Sequence, residues 1–458
     1  MPLTFSFVLL GLVEALVLYL AWLGGYALAA GGEPYPASPG QIWIQAAGFS
    51  FIVLACLFSV GLFSARQRAQ FVGVLVRLAI ATGMGGVLAW LLLSWLPPRS
   101  SVGLATAWAA GVGFIGIALS RFVLQRFLDS VMFKRRVLVF GAGNMAGSLV
   151  NLRRRSDRRG FEIVGFIRVN GDGQVPGISP LPMPQGLRAV CESHKVDEIV
   201  VAMDDRRQSF PIRELLECRL SGIEVSELMT FLERETGRVR IDVLNPSWMI
   251  FGPGFNRDLM TALGSRALDV IASVLVFLVS MPVMLATAIA IKCESGWRTP
   301  VLYHARRVGR LGREFRLLKF RSMRGDEDDD EDGPALWAQE NDPRITRVGA
   351  LIRRLRIDEL PQIVNVLRGE MSFVGPRPEQ PMFVARFEEQ IPYYAQRHSV
   401  KPGITGWAQL CYPYGSSVRD AIEKLQYDLY YVKHKSLWFD LSILVQTVEV
   451  VLLGKGAR

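Results

Sequence analysis

The chain has 458 residues, 50% hydrophobic and 21% charged, with a mean hydropathy of +0.26 and a formal charge of +10. Such a length suggests about three domains, and so large an apolar share excludes both disorder and a small stapled scaffold. The positive hydropathy points to membrane segments, and the basic balance to anionic lipid or phosphate-bearing substrates; no nucleic-acid module accompanies the charge.

Four apolar stretches open the chain, at residues 3–30, 41–65, 71–96 and 101–124. Each is long enough to cross about 30 Å of hydrocarbon as a helix. The first is too long, and too poor in basic residues at its start, for a cleaved signal peptide. Arg66 and Arg68 follow the second stretch, and Arg121, Arg126, Lys134, Arg135 and Arg136 lie at or after the end of the fourth. The other two connections are Pro/Gly-rich and carry only Arg99. The bias of basic residues therefore places the N-terminus and everything after residue 124 in the cytoplasm. Glu14 and Arg77, inside apolar stretches, read equally well as functional groups or as structural groups facing the bundle.

Residues 129–263 read as a Rossmann-like α/β domain. Arg136-Val-Leu-Val-Phe-Gly141 is a buried-strand pattern that runs into Gly141-Ala-Gly143-Asn-Met-Ala146, the GxGxxA form of a dinucleotide fingerprint. The carboxylate expected at the end of the next strand is missing, since that strand closes on Gly165-Phe-Ile-Arg168; Asp172 is the nearest and falls in the turn. A structural or regulatory remnant is favoured over a nicotinamide site.

A fifth apolar stretch, residues 267–291, is bounded by Arg266 and Lys292 and carries Pro282 near its middle. A single crossing would separate the middle domain from the chemistry that follows, and the proline breaks a straight helix. A re-entrant helix over 267–292, broken at Ser280-Met281-Pro282, resolves both conflicts. The last apolar stretch, 437–453, is interrupted by Asp440 and Glu449 and reads as an interfacial helix.

The chemistry is expected after Lys292. Residues 298–324 hold nine basic residues, among them Lys319 and Arg321, against one acidic residue, Glu314. That block is both a flank for anionic headgroups and a phosphate-binding face. The acidic run 325–333 reads as a solvated loop without calcium-loop spacing. Asp358-Glu359 then follows Arg353, Arg354 and Arg356. Arginines favour the ionised carboxylates, and adjacent positions on a helix point about 100° apart, so a nucleophile and a metal ligand are the natural division of roles. By spacing alone, a surface helix start is the stronger reading. The five cysteines and four histidines are scattered without CxxC, which fits a reducing compartment and excludes a disulfide frame and a zinc site.

Residues 265–455 resemble the bacterial sugar transferases, the monotopic phosphoglycosyl transferases. The resemblance rests on Lys319-Phe-Arg321-Ser-Met323, Asp342-Pro-Arg-Ile-Thr346, Asp358-Glu-Leu-Pro-Gln362, Gly375-Pro-Arg-Pro378, Pro402-Gly-Ile-Thr-Gly406 and Asp428–Tyr431. With the four preceding helices and a middle segment similar to a CoA-binding-like domain, the chain resembles the large polyprenyl-phosphate hexose-1-phosphate transferases. The resemblance implies a multi-domain protein of the inner (cytoplasmic) membrane of a bacterium: a four-helix bundle (1–128), the Rossmann-like domain (129–263) and a mainly α-helical monotopic catalytic domain with the re-entrant helix (264–458), on the cytoplasmic face. It implies transfer of sugar-1-phosphate from a UDP-hexose to undecaprenyl phosphate, with release of UMP, as the first membrane step of exopolysaccharide or other surface-glycan synthesis. Asp358 is then the nucleophile that forms a covalent phosphosugar intermediate, and Glu359 the ligand of Mg²⁺. Arg377 is the expected phosphate ligand, joined by Arg321, Arg354, Lys319 and Arg266. Arg266 and Asp269 fix the re-entrant helix or meet lipid phosphate, and a homodimer is expected. Two departures stand out: Met281 occupies the place where the family often has serine before the proline, with Ser280 one residue back, and Arg356-Ile357 replaces Ser-Leu before the dyad.

Two other classes compete with this reading. A membrane-bound nicotinamide-dependent dehydratase or epimerase would use a Tyr-xxx-Lys pair. Here only Tyr431 and Lys435 have that spacing, outside a middle domain that contains no tyrosine. A non-enzymatic scaffold would not need Asp358-Glu359.

Overall fold

The computed structural model describes residues 5–29, 38–63, 71–96, 102–128, 134–150, 152, 160–169, 172–173, 175, 179–183, 186–205, 210–244, 254, 259–324, 344–412, 415 and 417–452. The acidic run 325–333, Asp342, the loop arginines Arg66, Arg68 and Arg99 and most of the Pro/Gly-rich connections lie outside the described residues. The chain divides into two compact units, Met1–Gly237 and Arg238–Arg458.

In the first unit, α1 (Phe5–Ala29), α2 (Pro39–Ser59), α3 (Phe71–Leu93) and α4 (Val102–Leu128) are uninterrupted apolar helices; α1 and α3 each pack on α2 and α4. Gly25, Gly113 and Gly116 line the α1–α4 seam, where an added Cβ would come within 2.9 Å of the facing helix. Small residues of this kind let helix backbones approach where no hydrophobic force separates protein from lipid. A buried ion pair joins α1 to α4. Arg121 donates from Nε to Glu14 Oε1 at 2.6 Å and from Nη2 to Oε2 at 3.0 Å, and its Nη1 reaches the Leu62 carbonyl at 2.7 Å. Arg121 is thus not part of the basic flank: it is 4% exposed and neutralises Glu14, because an unpaired charge among apolar helices is costly.

The strands β1 (Arg135–Phe140), β2 (Phe161–Ile167), β3 (Glu198–Val201) and β4 (Glu224–Glu227) form one parallel sheet in the order β2-β1-β3-β4. The helices α5 (Asn144–Val150), α6 (Leu187–Ser193), α7 (Ile212–Leu220) and α8 (Leu228–Thr236) accompany it. Beyond β2, Pro180 forms a parallel bridge with Phe166, and Leu181 N donates to Phe166 O at 2.7 Å, so a short extended segment lies on the edge of β2 away from β1. The buried Glu198 ties sheet to helix: it accepts from Arg135, Arg234 and Ser226 at 2.6–3.0 Å.

The glycine-rich loop after β1 is occupied from within the chain. Asp172 Oδ2 accepts from the amides of Ala142 at 2.8 Å and Val169 at 3.0 Å. Asp204 accepts from Asn144 N at 2.9 Å and Met145 N at 2.8 Å. A Cβ on Gly143 would lie 2.1 Å from Asp204 Oδ2, so glycine here admits the protein's own carboxylate. The amides that would hold a pyrophosphate in a dinucleotide site are already hydrogen-bonded.

In the second unit, α9 (Leu259–Ser295) precedes an antiparallel hairpin of β5 (Leu302–Val308) and β6 (Glu314–Phe320). Next come α10 (Arg347–Arg354), α11 (Gln362–Arg368), β7 (Ser372–Val374), α12 (Pro381–Gln390), β8 (Gly403–Thr405), α13 (Trp407–Cys411), α14 (Val418–His434) and α15 (Leu437–Leu452). Strands β7 and β8 pair in parallel. On α15, Ile443 and Val445 are buried while Trp438 and Val448 are exposed.

Helix α9 continues through Pro282 without an interruption at Ser280, whose hydroxyl lies 3.5 Å from the Met284 sulfur. Near its start, Asp269 accepts from Ser372 Oγ and Phe373 N, both at 2.9 Å, and Ser265 donates to Asp440 at 3.0 Å. Near its end, Glu294 accepts from the amides of Arg347 at 2.7 Å and Val348 at 2.9 Å. Ile291 packs with Phe320 and Ile352. Between these anchors, residues 274–283 are exposed all round except for the half-buried Ser280.

One expectation concerns the sealed loop. Asp204→Ala removes an acceptor from two helix-start amides and should cost about 1–2 kcal/mol locally. It should be read as faster amide hydrogen exchange over residues 141–150, while native protein shows no saturable binding of NAD⁺ by equilibrium dialysis. A stoichiometric nicotinamide dinucleotide in the native protein would contradict the sealed geometry.

Candidate active site

Asp358 and Glu359 stand on a single 3-10 turn, Ile357–Glu359, between α10 and α11. The chain enters that turn through Arg356 in the left-handed region at φ 58. A non-glycine residue pays for that conformation, and such strain persists where surrounding contacts hold it. Arg356 Nη1 lies 3.6 Å from Glu359 Oε1.

Three elements converge on the dyad. Lys319, at the end of β6, places Nζ 3.4 Å from Glu359 Oε1 and 3.9 Å from Asp358 Oδ2. The buried Asn365 fixes β6 against α11: its Oδ1 accepts from Leu318 N at 3.0 Å and its Nδ2 donates to Arg316 O at 2.8 Å. Arg377, after β7, brings Nη2 to 3.5 Å from Glu359 Oε1. The turn carrying Arg377 is drawn close to β8 by glycines. A Cβ on Gly375 would lie 2.3 Å from the Lys401 carbonyl, and one on Gly403 would lie 2.1 Å from Gly375 N. The motif glycines at 375 and 403 are therefore explained by backbone contact.

Charge is distributed unequally over the pair. At Glu359 burial pushes the pKa up, but Arg377, Lys319 and Arg356 overcome it and hold the carboxyl at about 2 instead of 4.5. At Asp358 burial wins, and its pKa is raised against the opposing pull of Lys319, Arg353 and Arg356. Its Oδ1 is buried without a hydrogen-bond partner. The sequence argument that arginines lower both carboxyls thus holds for Glu359 and fails for Asp358, because the cations gather on one carboxylate while desolvation dominates the other. Lys319 is itself lowered by burial. A carboxylate oxygen that receives no hydrogen bond is a better nucleophile than one held in an ion pair.

The other expected residues lie as follows. Arg266 donates to the carbonyls of Val366 and Leu367, both at 2.7 Å, and so caps the last turn of α11. Arg354 is exposed on the last turn of α10, whereas its neighbour Arg353 adds charge at Asp358. Arg321 begins the segment after β6, its amide donating to Val301 O at 2.9 Å. Among the described residues no group of three potential metal ligands gathers. Arg353 belongs to the arginine run before the dyad, whereas no sequence motif marks Arg397. Arg397 pairs with Asp428 across thirty-one positions, and only proximity in the fold reveals it.

The family model described as bacterial sugar transferase matches residues 260–454. A UDP-N-acetylgalactosamine-undecaprenyl-phosphate N-acetylgalactosaminephosphotransferase of Aeromonas hydrophila is 44% identical over 246 residues, 54% of this chain and only 56% of that relative's length. A UDP-glucose:undecaprenyl-phosphate glucose-1-phosphate transferase of Xanthomonas campestris pv. campestris is 33% identical over 442 residues, covering 91% of this chain and 89% of the relative. An undecaprenyl-phosphate galactose phosphotransferase of Salmonella typhimurium is 27% identical over 343 residues, 71% of this chain and 70% of its own. A membrane protein with a two-carboxylate, arginine-rich site is the class that fold and site define. The chain belongs to the bacterial sugar transferase family.

The unequal charges predict opposite stability effects. Asp358→Asn removes a carboxylate that burial disfavours, so its melting midpoint should equal or exceed the native value. Glu359→Gln leaves three cations without their counter-charge and should lose about 1–3 kcal/mol. Because the folded pKa of Glu359 is about 2, below the ordinary 4.5, its stabilisation is complete above pH 4.5 and lost as the pH falls toward 2. Thermal unfolding of both variants against pH checks the signs.

Proposed function

We propose that the protein transfers sugar-1-phosphate from a UDP-sugar to undecaprenyl phosphate and releases UMP, through a covalent aspartyl intermediate. The observation that carries this reading is the buried Asp358 Oδ1, without a hydrogen bond, beside a carboxylate ringed by Lys319, Arg356 and Arg377. In the first step Asp358 attacks the β-phosphorus, forms an acyl-phosphate bond and expels UMP as the P–O bond to the α-phosphate breaks. In the second a phosphate oxygen of the lipid attacks the same phosphorus, breaks the acyl-phosphate bond and restores the Asp358 carboxylate. Splitting the transfer replaces one difficult displacement by two easier ones. Arg377 and Lys319 neutralise the diphosphate as negative charge moves onto the leaving UMP. Names of the relatives support the substrate class, and they carry three different sugars.

Mg²⁺ fits this donor set. The ion accepts one or two carboxylates and takes its remaining ligands from phosphate and water, so the lack of a three-ligand cluster among the described residues is no obstacle. Glu359 would hold it, and when bound it supplies charge neutralisation at the diphosphate.

The reading places α9 as a re-entrant helix in one leaflet of the bacterial inner membrane, with the site on its cytoplasmic side. Both ends of α9 hold to the same domain, through Asp269 and through Glu294. The all-round exposed apolar segment 274–283 spans about 15 Å at 1.5 Å per residue, half of a 30 Å hydrocarbon core. On this reading Pro282, which lacks the amide for one helical hydrogen bond, is where α9 would bend in the leaflet. The role in exopolysaccharide or other surface-glycan synthesis follows from a sugar loaded onto a membrane lipid.

UMP release in detergent tests the reaction, with Mg²⁺, undecaprenyl phosphate and UDP-glucose, UDP-galactose and UDP-N-acetylgalactosamine. Native protein should release UMP with one of these sugars in a lipid-dependent way, EDTA should stop it, and Asp358→Asn should lower the rate by at least ~1000-fold. Undiminished activity of that variant would remove the covalent step. For the membrane reading, single cysteines introduced by Leu259→Cys and Trp297→Cys in a cysteine-free background should react with an impermeant maleimide from one face only; labelling from opposite faces would make α9 a spanning helix.

A further inference from the structure

Arg377 sits between two prolines, Pro376 and Pro378. Neither proline has an amide hydrogen, so this segment cannot brace itself with the usual turn hydrogen bonds from those positions. Its carbonyls are held from outside instead. Pro376 O accepts from Gly403 N at 2.9 Å, and Glu379 O accepts from Val308 N at 3.0 Å. Between them, Arg377 O accepts from Arg397 Nη2 at 3.1 Å. Of these three donors only Arg397 is a side chain.

Arg397 is 5% exposed, and each of its three side-chain nitrogens is engaged. Nε donates to Asp428 Oδ2 at 3.0 Å, with Nη2 also 2.9 Å from that oxygen, and Nη1 donates to Tyr394 Oη at 2.8 Å. Asp428 is 2% exposed, and it lies on α14, while Arg397 lies in the turn Tyr394–Ser399. A rigid planar donor anchored at one end by a buried carboxylate thus ends on the carbonyl of the residue that meets Glu359 with its own guanidinium.

We propose that Arg397, anchored by Asp428, is a positioning residue for the transfer: it fixes the backbone of Arg377 so that the Arg377 guanidinium meets the substrate diphosphate. The proposal rests on the reading of Arg377 as a phosphate ligand. Arg397 itself touches no substrate, and its effect is exerted through Arg377 alone. Lysine at 397 keeps the charge facing Asp428 but lacks the fork that reaches Asp428, Tyr394 and the Arg377 carbonyl together.

A double-mutant cycle on the full-length protein in detergent tests this. Arg397→Lys should lower kcat/KM for the UDP-sugar by about 10- to 100-fold, the scale of a displaced positioning contact. In an Arg377→Ala background the same change should cost less than about threefold, because the group it positions is gone. Equal fold-losses in the two backgrounds would overturn the proposal and leave Arg397 a packing residue. Should Arg397→Lys fail to give a cooperative melt, Asp428→Asn loosens the same anchor and is held to the same criterion. The cycle repeated on UDP affinity reads the coupling without turnover. Native protein that binds UDP with coupled losses yet releases no UMP would refute the reaction and keep the positioning; additive losses in UDP affinity would refute the positioning whatever the activity.

Discussion

Three cations, Lys319, Arg356 and Arg377, converge on one oxygen of Glu359, and the candidate site in the second unit is arranged around that convergence. Bringing three positive groups together costs repulsion and desolvation, and Glu359 neutralises them at close range while Asp358 has only the longer 3.9 Å approach of Lys319. Asp358, one residue earlier, is buried but receives no hydrogen bond on Oδ1. The result is a pair of adjacent carboxylates with opposite perturbations: one held ionised, the other raised by burial. Such separation of two like groups is the usual sign of divided chemical roles.

Each cation arrives from a different element, so the site exists only once the domain has folded. Lys319 comes from β6, which Asn365 ties to the helix after the dyad. Arg356 comes from the strained entry to the 3-10 turn. Arg377 comes from a proline-flanked turn that β8 approaches closely because Gly375 and Gly403 lack side chains. Helix α9 joins the same frame at both ends. Asp269 holds β7 near one end and Glu294 caps α10 near the other, so a membrane-seeking segment is tied to the element that leads into the dyad.

The first unit shows a fold that keeps a motif and changes its chemistry. The GxGxxA loop follows a buried strand and opens a helix, as a dinucleotide loop does. Yet Asp172 and Asp204 supply the negative charge that a pyrophosphate would bring, and they come from within the chain. The anion requirement of the loop amides is the same in both cases, and only its source differs. In the bundle the same rule acts on Glu14 and Arg121, which lie 107 positions apart and satisfy each other among apolar helices.

The membrane helices were legible because apolar runs longer than twenty residues have few other uses, and the parallel sheet because buried strands alternate with helical segments. The dyad was legible only through several motifs occurring in order, since Asp358-Glu359 by spacing alone reads as a surface helix start. Local sequence also gave the wrong weight at Asp358, counting nearby arginines as if all of them faced it. Which of two adjacent carboxylates receives the cations depends on side-chain direction across a turn whose first residue has positive φ, and a one-dimensional pattern does not carry that. The strand order β2-β1-β3-β4, the inward turn of Arg121, the carboxylates that fill the glycine loop and the link from Asp428 through Arg397 to Arg377 were likewise decided by tertiary structure. Hydrophobic periodicity and composition are local and additive, so the sequence by itself determined which segments are apolar helices and where the charged chemistry begins. Desolvation and ion pairing depend on what lies within a few ångströms, which for these residues comes from positions tens to a hundred residues away.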